Sequence, residues 1–226
     1  MAARLEARPF PLVLAGPSGS GKTTVGRALE RRGHVRFSVS ATTRPRRTEE
    51  EDGVDYRFLG REEFRELVEQ GELLEWAEVH GHLYGTPRDA LREAGEEGRH
   101  LLLDIDVQGT RSVRRQVPGT VAIFLLPPDG TRIVRRLLGR GSEDPEELRR
   151  RLRAAEEELL AVGAFDYVVV NDVLEEAVDT VEAILRAEER RIERLGDGVE
   201  EMAAALNEEI RRAVEADLGT GAGEAR

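Results

Sequence analysis

The chain has 226 residues, of which 39% are hydrophobic and 35% charged, enough length and apolar content for one full-sized globular domain with insertions. With no cysteine it can build neither a disulfide framework, a thiolate metal site nor a cysteine nucleophile, and a formal net charge of −11 argues against non-specific nucleic-acid binding. The N-terminus carries Arg4 and Arg8 and only a brief apolar stretch, so neither a signal peptide nor a membrane span is expected, and the cytoplasm is the default location.

Pro11 to Ala15 is a short apolar run, readable as a buried strand. Directly after it, Gly16-Pro17-Ser18-Gly19-Ser20-Gly21-Lys22-Thr23 fits G-x-x-x-x-G-K-[ST], the phosphate-binding loop. Val25, Ala28 and Leu29 then repeat at helical spacing until Gly33. Strand, glycine loop and helix in this order are the context the motif needs. Lys22 is the only lysine among 34 basic side chains; every other one is arginine. The chemistry explains the exception, because an ammonium is a compact point charge that slides alongside a polyphosphate where a planar guanidinium would crowd the loop. The glycines let successive N–H groups point at phosphate oxygens, and the following helix adds its positive N-terminal end. Thr23 is positioned by the motif to supply a hydroxyl to Mg²⁺, and Thr24 completes the run of expected triphosphate contacts.

Farther along, Val35 to Ser40 reads as a second strand, and Ala41 to Gly53, rich in arginine and glutamate with no apolar period, as a loop. Tyr56 to Leu59 is a short strand, Glu62 to Gln70 a helix with Phe64, Leu67 and Val68 inward, and Leu73 to Val79 another strand. Arg88 to Glu96 predicts a helix ended by Gly98. His100 to Asp106 is apolar with acids at its end, as in a buried parallel strand. Gly109 to Gln116 is helical, Thr120 to Leu126 a buried strand, Ile133 to Leu138 helical, and Pro145 to Ala161 a charged helix opened by its proline. Tyr167 to Asn171 is the last strand and Leu174 to Leu195 the last core helix. Strands alternating with helices predict an α/β fold with a mostly parallel sheet, on which residues 41–90 form an insertion richer in short strands. After Gly196-Asp197-Gly198, one stripe of Val199, Met202, Leu206, Ile210, Val214 and Leu218 predicts an extra amphipathic helix, followed by a disordered glycine-rich tail. The histidines His34, His80, His82 and His100 have no H-x-x-x-H spacing, and His80 with His82 reads as a surface pair.

The arginine-rich segment is a second candidate phosphate-binding element. Arg44 and Arg47 stand three residues apart, with Tyr56 nine residues beyond, and can clamp one phosphate through forked guanidinium bonds and a phenolic O–H. Taken alone, the segment reads equally as a solvated basic loop neutralised by Glu49, Glu50 and Glu51. The pattern T-T-R-x-x-R-x-x-E-x-x-G-x-x-Y-x-F-L over Thr42 to Leu59 resembles the signature of the guanylate kinase family. The resemblance continues in order through Glu75-Trp76-Ala77, His80 to Thr86, Leu103 to Gly109, Pro127-Pro128, Arg140 to Glu143 and Val170-Asn171-Asp172, and covers residues 9–195. One departure is that Pro45 comes one position earlier than in the family pattern, so that Arg46 fills the slot before Arg47.

The resemblance implies a P-loop NTPase-type α/β fold, its mostly parallel sheet flanked by helices, with an inserted mixed α/β GMP-binding region and a helical lid. On that reading the domain spans 9–195, with its core at 9–40, 98–128 and 165–195, the GMP-binding region at 41–90, the lid at 129–161, and an added helix and tail at 196–226. It implies Mg²⁺-dependent transfer of the γ-phosphoryl group of ATP to GMP. The GMP phosphate would be held by Arg44, Arg47, Tyr56 and Tyr84. Glu75 would accept from guanine N1–H and the exocyclic amine, with Ser40 and Thr86 donating to O6 and Asp106 adding to the amino contact. ATP would lie on Gly16 through Thr24, with Asn171 and Asp172 near the adenine, and Thr23 and Asp104 would serve Mg²⁺. Lys22, Arg47, Arg136, Arg140 and Arg151 would neutralise charge during transfer, the last three from the lid, with Gly139 and Gly141 as hinges. Two other readings differ in class. A catalytically inactive guanylate-kinase-like interaction module would be expected to lose the loop lysine or the lid arginines, and a related kinase for another phosphorylated acceptor would not need Glu75 with Thr86. Free nucleotides are then the partners, without nucleic acid or membrane, and the terminal helix is a surface on which subunits could pair.

Overall fold

The structure, a computed structural model, describes residues 5, 7–79, 81–138 and 145–220, the side chains of 136–138, 145, 147, 148, 151 and 217–220 excepted. Contacts divide the chain into two units, Pro9–Ala183 and a second formed by Ile184–Arg226 with Met1–Arg8.

The first unit opens with β1 (Pro11–Ala15), α1 (Lys22–Arg31) and β2 (Val35–Phe37). Next come β3 (Ala41–Thr42), β4 (Arg57–Phe58), α2 (Arg61–Glu69), β5 (Leu73–Val79) and β6 (His82–Pro87). They lead to α3 (Asp89–Glu96), β7 (His100–Asp104), α4 (Val107–Gln116) and β8 (Val121–Leu126). The unit closes with α5 (Gly130–Leu138), α6 (Pro145–Leu160), a 3-10 turn at Val162–Ala164, β9 (Tyr167–Val170) and most of α7 (Leu174–Glu188). The main sheet has the order β2-β7-β1-β8-β9 and is parallel at every pairing. All five residues of β1 are buried, as are Leu101, Leu102 and Leu103 of β7 and Val121 to Leu125 of β8. Continuous apolar runs are what a parallel sheet covered on both faces requires. Fully burying one such leucine is worth about 1.5–3 kcal/mol.

The register sets the site. Leu14 lies opposite Asp104 and Ala15 opposite Phe124, so the carboxyl ends of β7, β1 and β8 lie side by side where the glycine loop begins. In open α/β sheets this edge is where ligands bind.

The second sheet, β4-β3-β6-β5, combines a parallel β3–β4 pairing with antiparallel β3–β6 and β5–β6 pairings. Its core is Ala41, Phe64, Leu73 and Leu83, with Leu59, Leu67 and Val68 packed on it. Two strands here differ from the sequence expectation. The expected loop from Ala41 begins as β3, and His82–Pro87, which lacks a clear alternating pattern, is β6. Both exist through pairing, with Trp76 opposite Gly85 and Thr42 opposite Tyr84, and cross-strand packing outweighs intrinsic preference in such segments. The expected strand over 35–40 ends at Phe37; Ser38 N–H still donates to Leu102 O, after which the chain turns to the second sheet.

The expected helix from Leu174 to Leu195 is broken. α7 ends at Glu188, Arg191 is extended at φ −67° and ψ 132°, and α8 covers Ile192–Leu195. Within the second unit, Arg194 Nη2 donates to Glu188 Oε2 at 2.7 Å, and Glu188 is only 3% exposed. Residues six apart point to different sides of a continuous helix, so the break is what lets this buried pair form. α9 (Gly198–Thr220) is the expected added helix, and on it Leu206, Ile210 and Val214 are exposed.

Candidate active site

The glycine loop is shaped by its own backbone. Gly16 has φ +137°, and a Cβ there would sit 2.3 Å from Leu125 O, so no side chain fits between the loop and β8. Ser20 N–H donates to Pro17 O at 2.9 Å, and Gly21, left-handed at φ 95°, caps α1. Lys22 Nζ lies in the hollow, donating to Gly16 O at 2.8 Å and Pro17 O at 3.5 Å. Thr23 Oγ1 donates to Asp104 Oδ2 at 2.6 Å, joining the first turn of α1 to the end of β7. This hydroxyl–carboxylate pair suits Mg²⁺, a hard cation that takes oxygen ligands and keeps waters or phosphates for the remaining positions. Among the described residues there is no cluster of three or more His, Cys, Asp or Glu able to hold a metal ion.

The second cluster gathers around Glu50. Arg44 Nη2 donates to Glu50 Oε1 at 2.7 Å, Arg47 N–H donates to Glu50 Oε2 at 2.9 Å, and Arg46 Nη1 donates to Glu50 O at 3.0 Å. Desolvation opposes the charge on each member of the Arg44–Glu50 pair, yet their hydrogen bond keeps the Glu50 carboxyl below its ordinary range and the Arg44 guanidinium above its own. Arg44 lies 5.5 Å from the Tyr56 ring centroid, and the Tyr56 and Tyr84 rings meet edge-on at 6.0 Å. The Arg47 side chain is 61% exposed, whereas that of Arg44 is 13% exposed. Burial, then the negative charge of Asp104, pushes the Tyr56 hydroxyl up to about 12. The arginine–tyrosine cluster therefore stands within the field of the carboxylate that accepts from Thr23.

A third group lies on β5 and β6. Glu75, 6% exposed, accepts from Thr86 Oγ1 at 2.6 Å, the two residues being cross-strand partners. Burial, with a contribution from Asp106, pushes the Glu75 carboxyl up to about 7 against the Thr86 hydrogen bond. Asp106 caps α4, its Oδ1 accepting from Gly109 N–H at 2.7 Å. A Cβ on Gly109 would come within 2.9 Å of Glu75 Oε2, so glycine keeps that oxygen clear. Ser40, half-buried just before β3, accepts from Arg57 N–H through its carbonyl at 2.9 Å.

Other expected residues take different surroundings. Asn171 is buried and donates through Nδ2 to Ser20 O at 2.8 Å, shaping the glycine loop from behind. Asp172 pairs with Arg132 at 2.7 Å. Arg140 lies outside the described residues, as do the side chains of Arg136 on α5 and Arg151 on α6. α5 and α6 pack through Ile133, Leu152, Ala155 and Leu159. Two participants were not legible as such. Glu50 is visible in the sequence as the acid three residues after Arg47, without its role as the shared partner of Arg44, Arg46 and Arg47. Glu158 on α6, grouped by sequence with the solvated acids of a charged helix, stands by the glycine loop. Burial raises its carboxyl, opposed by the charge of Lys22 and a hydrogen bond from the Ser18 N–H.

The parallel sheet, the glycine loop after its central strand and the paired Thr23–Asp104 oxygens define a P-loop protein. The sequence profile described as guanylate kinase matches residues 8–188. Guanylate kinase from Thermotoga maritima is 48% identical over 189 residues, covering 83% of this chain and 91% of its own. That of Thermus thermophilus is 48% identical over 206 residues, covering 91% of each chain. A crystal structure of guanylate kinase from Anaplasma phagocytophilum superposes with a TM-score of 0.73 at 36% identity, over 89% of this chain and 96% of that one. The chain belongs to the guanylate kinase family.

Proposed function

We infer that this chain transfers the γ-phosphoryl group of ATP to the phosphate of GMP, giving ADP and GDP. It is an ATP:GMP phosphotransferase, and neither the inactive-module reading nor a different acceptor is favoured. The observation that carries the acceptor assignment is the buried Glu75 carboxylate, oriented by Thr86 and facing the start of α4. An ionised carboxylate accepts from two adjacent donors, which guanine offers at N1 and N2 and adenine does not. A site built on buried polar partners rejects an analogue lacking them by about 10⁴-fold.

The proposed division of labour follows from charge and reach. Lys22 leaves the Gly16 and Pro17 carbonyls to lie along the β- and γ-phosphates, while the loop amides take the remaining oxygens. Thr23 and Asp104 would hold Mg²⁺, which when bound neutralises phosphate oxygens. Arg44 is stiffened by Glu50 and two aromatic rings, so it meets the GMP phosphate with little loss of freedom, and Tyr56 and Tyr84 add phenolic donors. Arg47 swings in from solvent. The acceptor oxygen is already anionic, so no general base is needed, and catalysis rests on alignment and charge neutralisation. Arg136, Arg140 and Arg151 are proposed to complete that neutralisation.

A coupled ADP-release assay with GMP, AMP and ribose phosphates, each with Mg²⁺ and ATP, tests the assignment. Turnover confined to GMP is the expected outcome; equal turnover of AMP would contradict it. No described helix is long and apolar enough to cross a membrane, and a cytoplasmic location is proposed from the free nucleotide substrates. Self-association through α9 is proposed on the exposure of Leu206, Ile210 and Val214, and sedimentation of the chain with and without residues 196–226 tests it.

A further inference from the structure

Arg27 lies on α1, five residues after Lys22, and reaches away from the glycine loop toward the arginine-rich segment. Its guanidinium is held on two sides. Nη1 donates to Glu30 Oε2 at 3.0 Å, and the group lies 4.4 Å from the Phe37 ring centroid. Glu30 is itself fixed, because its other oxygen accepts from Phe37 N–H at 2.9 Å. The remaining arm, Nη2, donates to Val54 O at 2.5 Å. A planar fork held in this way delivers one donor to one place, which a single ammonium does not.

The segment it grips behaves as one piece. Asp55 N–H donates to Glu51 O at 3.0 Å, Glu51 N–H to Asp55 Oδ2 at 2.9 Å, Gly53 N–H to Tyr56 O at 2.8 Å, and Phe58 N–H to Asp52 Oδ1 at 2.9 Å. The pairing of β4 with β3 ties this piece to the second sheet. A cavity of about 480 Å³ separates Asp52, Gly53 and Phe58 from Phe37, Val39 and Ala90. Among the described residues, the bond from Arg27 to Val54 is the hydrogen bond that joins α1 to residues 51–55. Val54 precedes Tyr56 by two residues, and Tyr56 lies under Arg44.

We propose that Arg27 is a positioning residue that ties the acceptor-phosphate cluster to the helix carrying Lys22 and Thr23, and so sets the separation of the two phosphate sites. It touches no substrate. One end of α1 holds the donor phosphates, and a side chain lower on the same helix holds the loop that presents Tyr56, so the two sites share one rigid element. The inference rests on the assignment of Arg44 and Tyr56 to the GMP phosphate.

The test compares Arg27→Met and Arg27→Lys with wild type. Methionine keeps an apolar stem over Phe37 but has no donor, whereas lysine keeps one donor for the Val54 carbonyl. With Arg27→Met, the KM for GMP should rise by about tenfold, the scale of losing a charge-assisted hydrogen bond. ATP affinity measured without GMP should stay within about twofold, since the loop contacts of Lys22 are untouched. Arg27→Lys should recover part of the GMP effect. An unchanged KM for GMP, a lysine variant no better than methionine, or an equal loss of ATP affinity with a large fall in Tm would each overturn the proposal. Failure of that phosphate assignment looks different, because Arg44→Ala would then leave the KM for GMP unchanged.

Discussion

Thr86 Oγ1 donates to Glu75 Oε1 across 2.6 Å, and both side chains are buried. The bond fixes the plane of a carboxylate whose other oxygen faces the glycine at the start of α4. A carboxyl group held there is expensive to ionise while the site is empty, and two guanine donors would repay that cost. Its titration should therefore change when GMP binds.

Glu75 titrates near 7 because burial and Asp106 disfavour its charge. The empty enzyme then holds a proton there below about pH 7, and GMP binding at pH 6 should release it. The sign is that GMP affinity rises with pH up to about 7 and levels off above. The second ionisation of the GMP phosphate, near about 6, falls in the same window. The difference between wild type and Glu75→Gln isolates the carboxyl, and calorimetry in buffers of different ionisation enthalpy counts the proton. Because the folded pKa exceeds the ordinary carboxylate value, ionising Glu75 costs stability as pH rises through this range. Glu75→Gln should accordingly melt above wild type at pH 8, with the difference fading below about pH 4.5.

Lys22→Arg should lose nearly all turnover, by about 10²-fold or more, although the charge is kept and every other basic side chain is arginine. Lys22 lies between the Gly16 and Pro17 carbonyls, and the wider fork has no such place beside a polyphosphate. Steady-state kcat with saturating ATP and GMP checks this, and near-normal turnover would contradict it.

Arg44 and Arg47 should behave differently when replaced by alanine. Arg44 is largely buried and paired with Glu50, so Arg44→Ala strands a carboxylate and should lower stability by about 2 kcal/mol as well as GMP affinity. Arg47 is mostly exposed, so Arg47→Ala should raise the KM for GMP by about tenfold with Tm unchanged. Melting curves and GMP titrations on both variants decide the matter; similar Tm losses would contradict it.

Glu158→Gln should bind ATP a few-fold more tightly in the absence of GMP. The carboxylate stands in the field of Lys22 and takes the Ser18 N–H, both of which a phosphate would use, so an arriving triphosphate meets like charge. The same change should flatten the dependence of ATP affinity on pH on the acid side, where protonation of Glu158 relieves the repulsion in wild type. Direct ATP binding by wild type and variant across pH measures both; weaker binding by Glu158→Gln would mean that the carboxylate orients Lys22.

The second unit offers a contrast in what a pattern can carry. The stripe from Val199 to Leu218 repeats every three or four residues, and α9 follows it closely. The adjacent break between Glu188 and Ile192 has no such mark. Arg190 and Arg191 are unexceptional helix formers, and the meeting of Glu188 with Arg194 in a buried place is a contact that a continuous helix would not allow.

By itself the sequence determined the glycine loop, the strands of the main sheet and the arginine–tyrosine segment. Each is written in neighbouring residues, as a fixed spacing or an unbroken apolar run, and local chain geometry is enough to realise it. Tertiary structure alone decided that Glu50 is the hub of three arginines, that Asn171 turns to Ser20, and that Glu158 stands by Lys22. It also decided that His82–Pro87 is a strand and that Arg27 reaches Val54. These relationships join residues whose separation carries no period, and their partners are chosen by which elements pack together and which polar groups are left to satisfy one another once water is excluded.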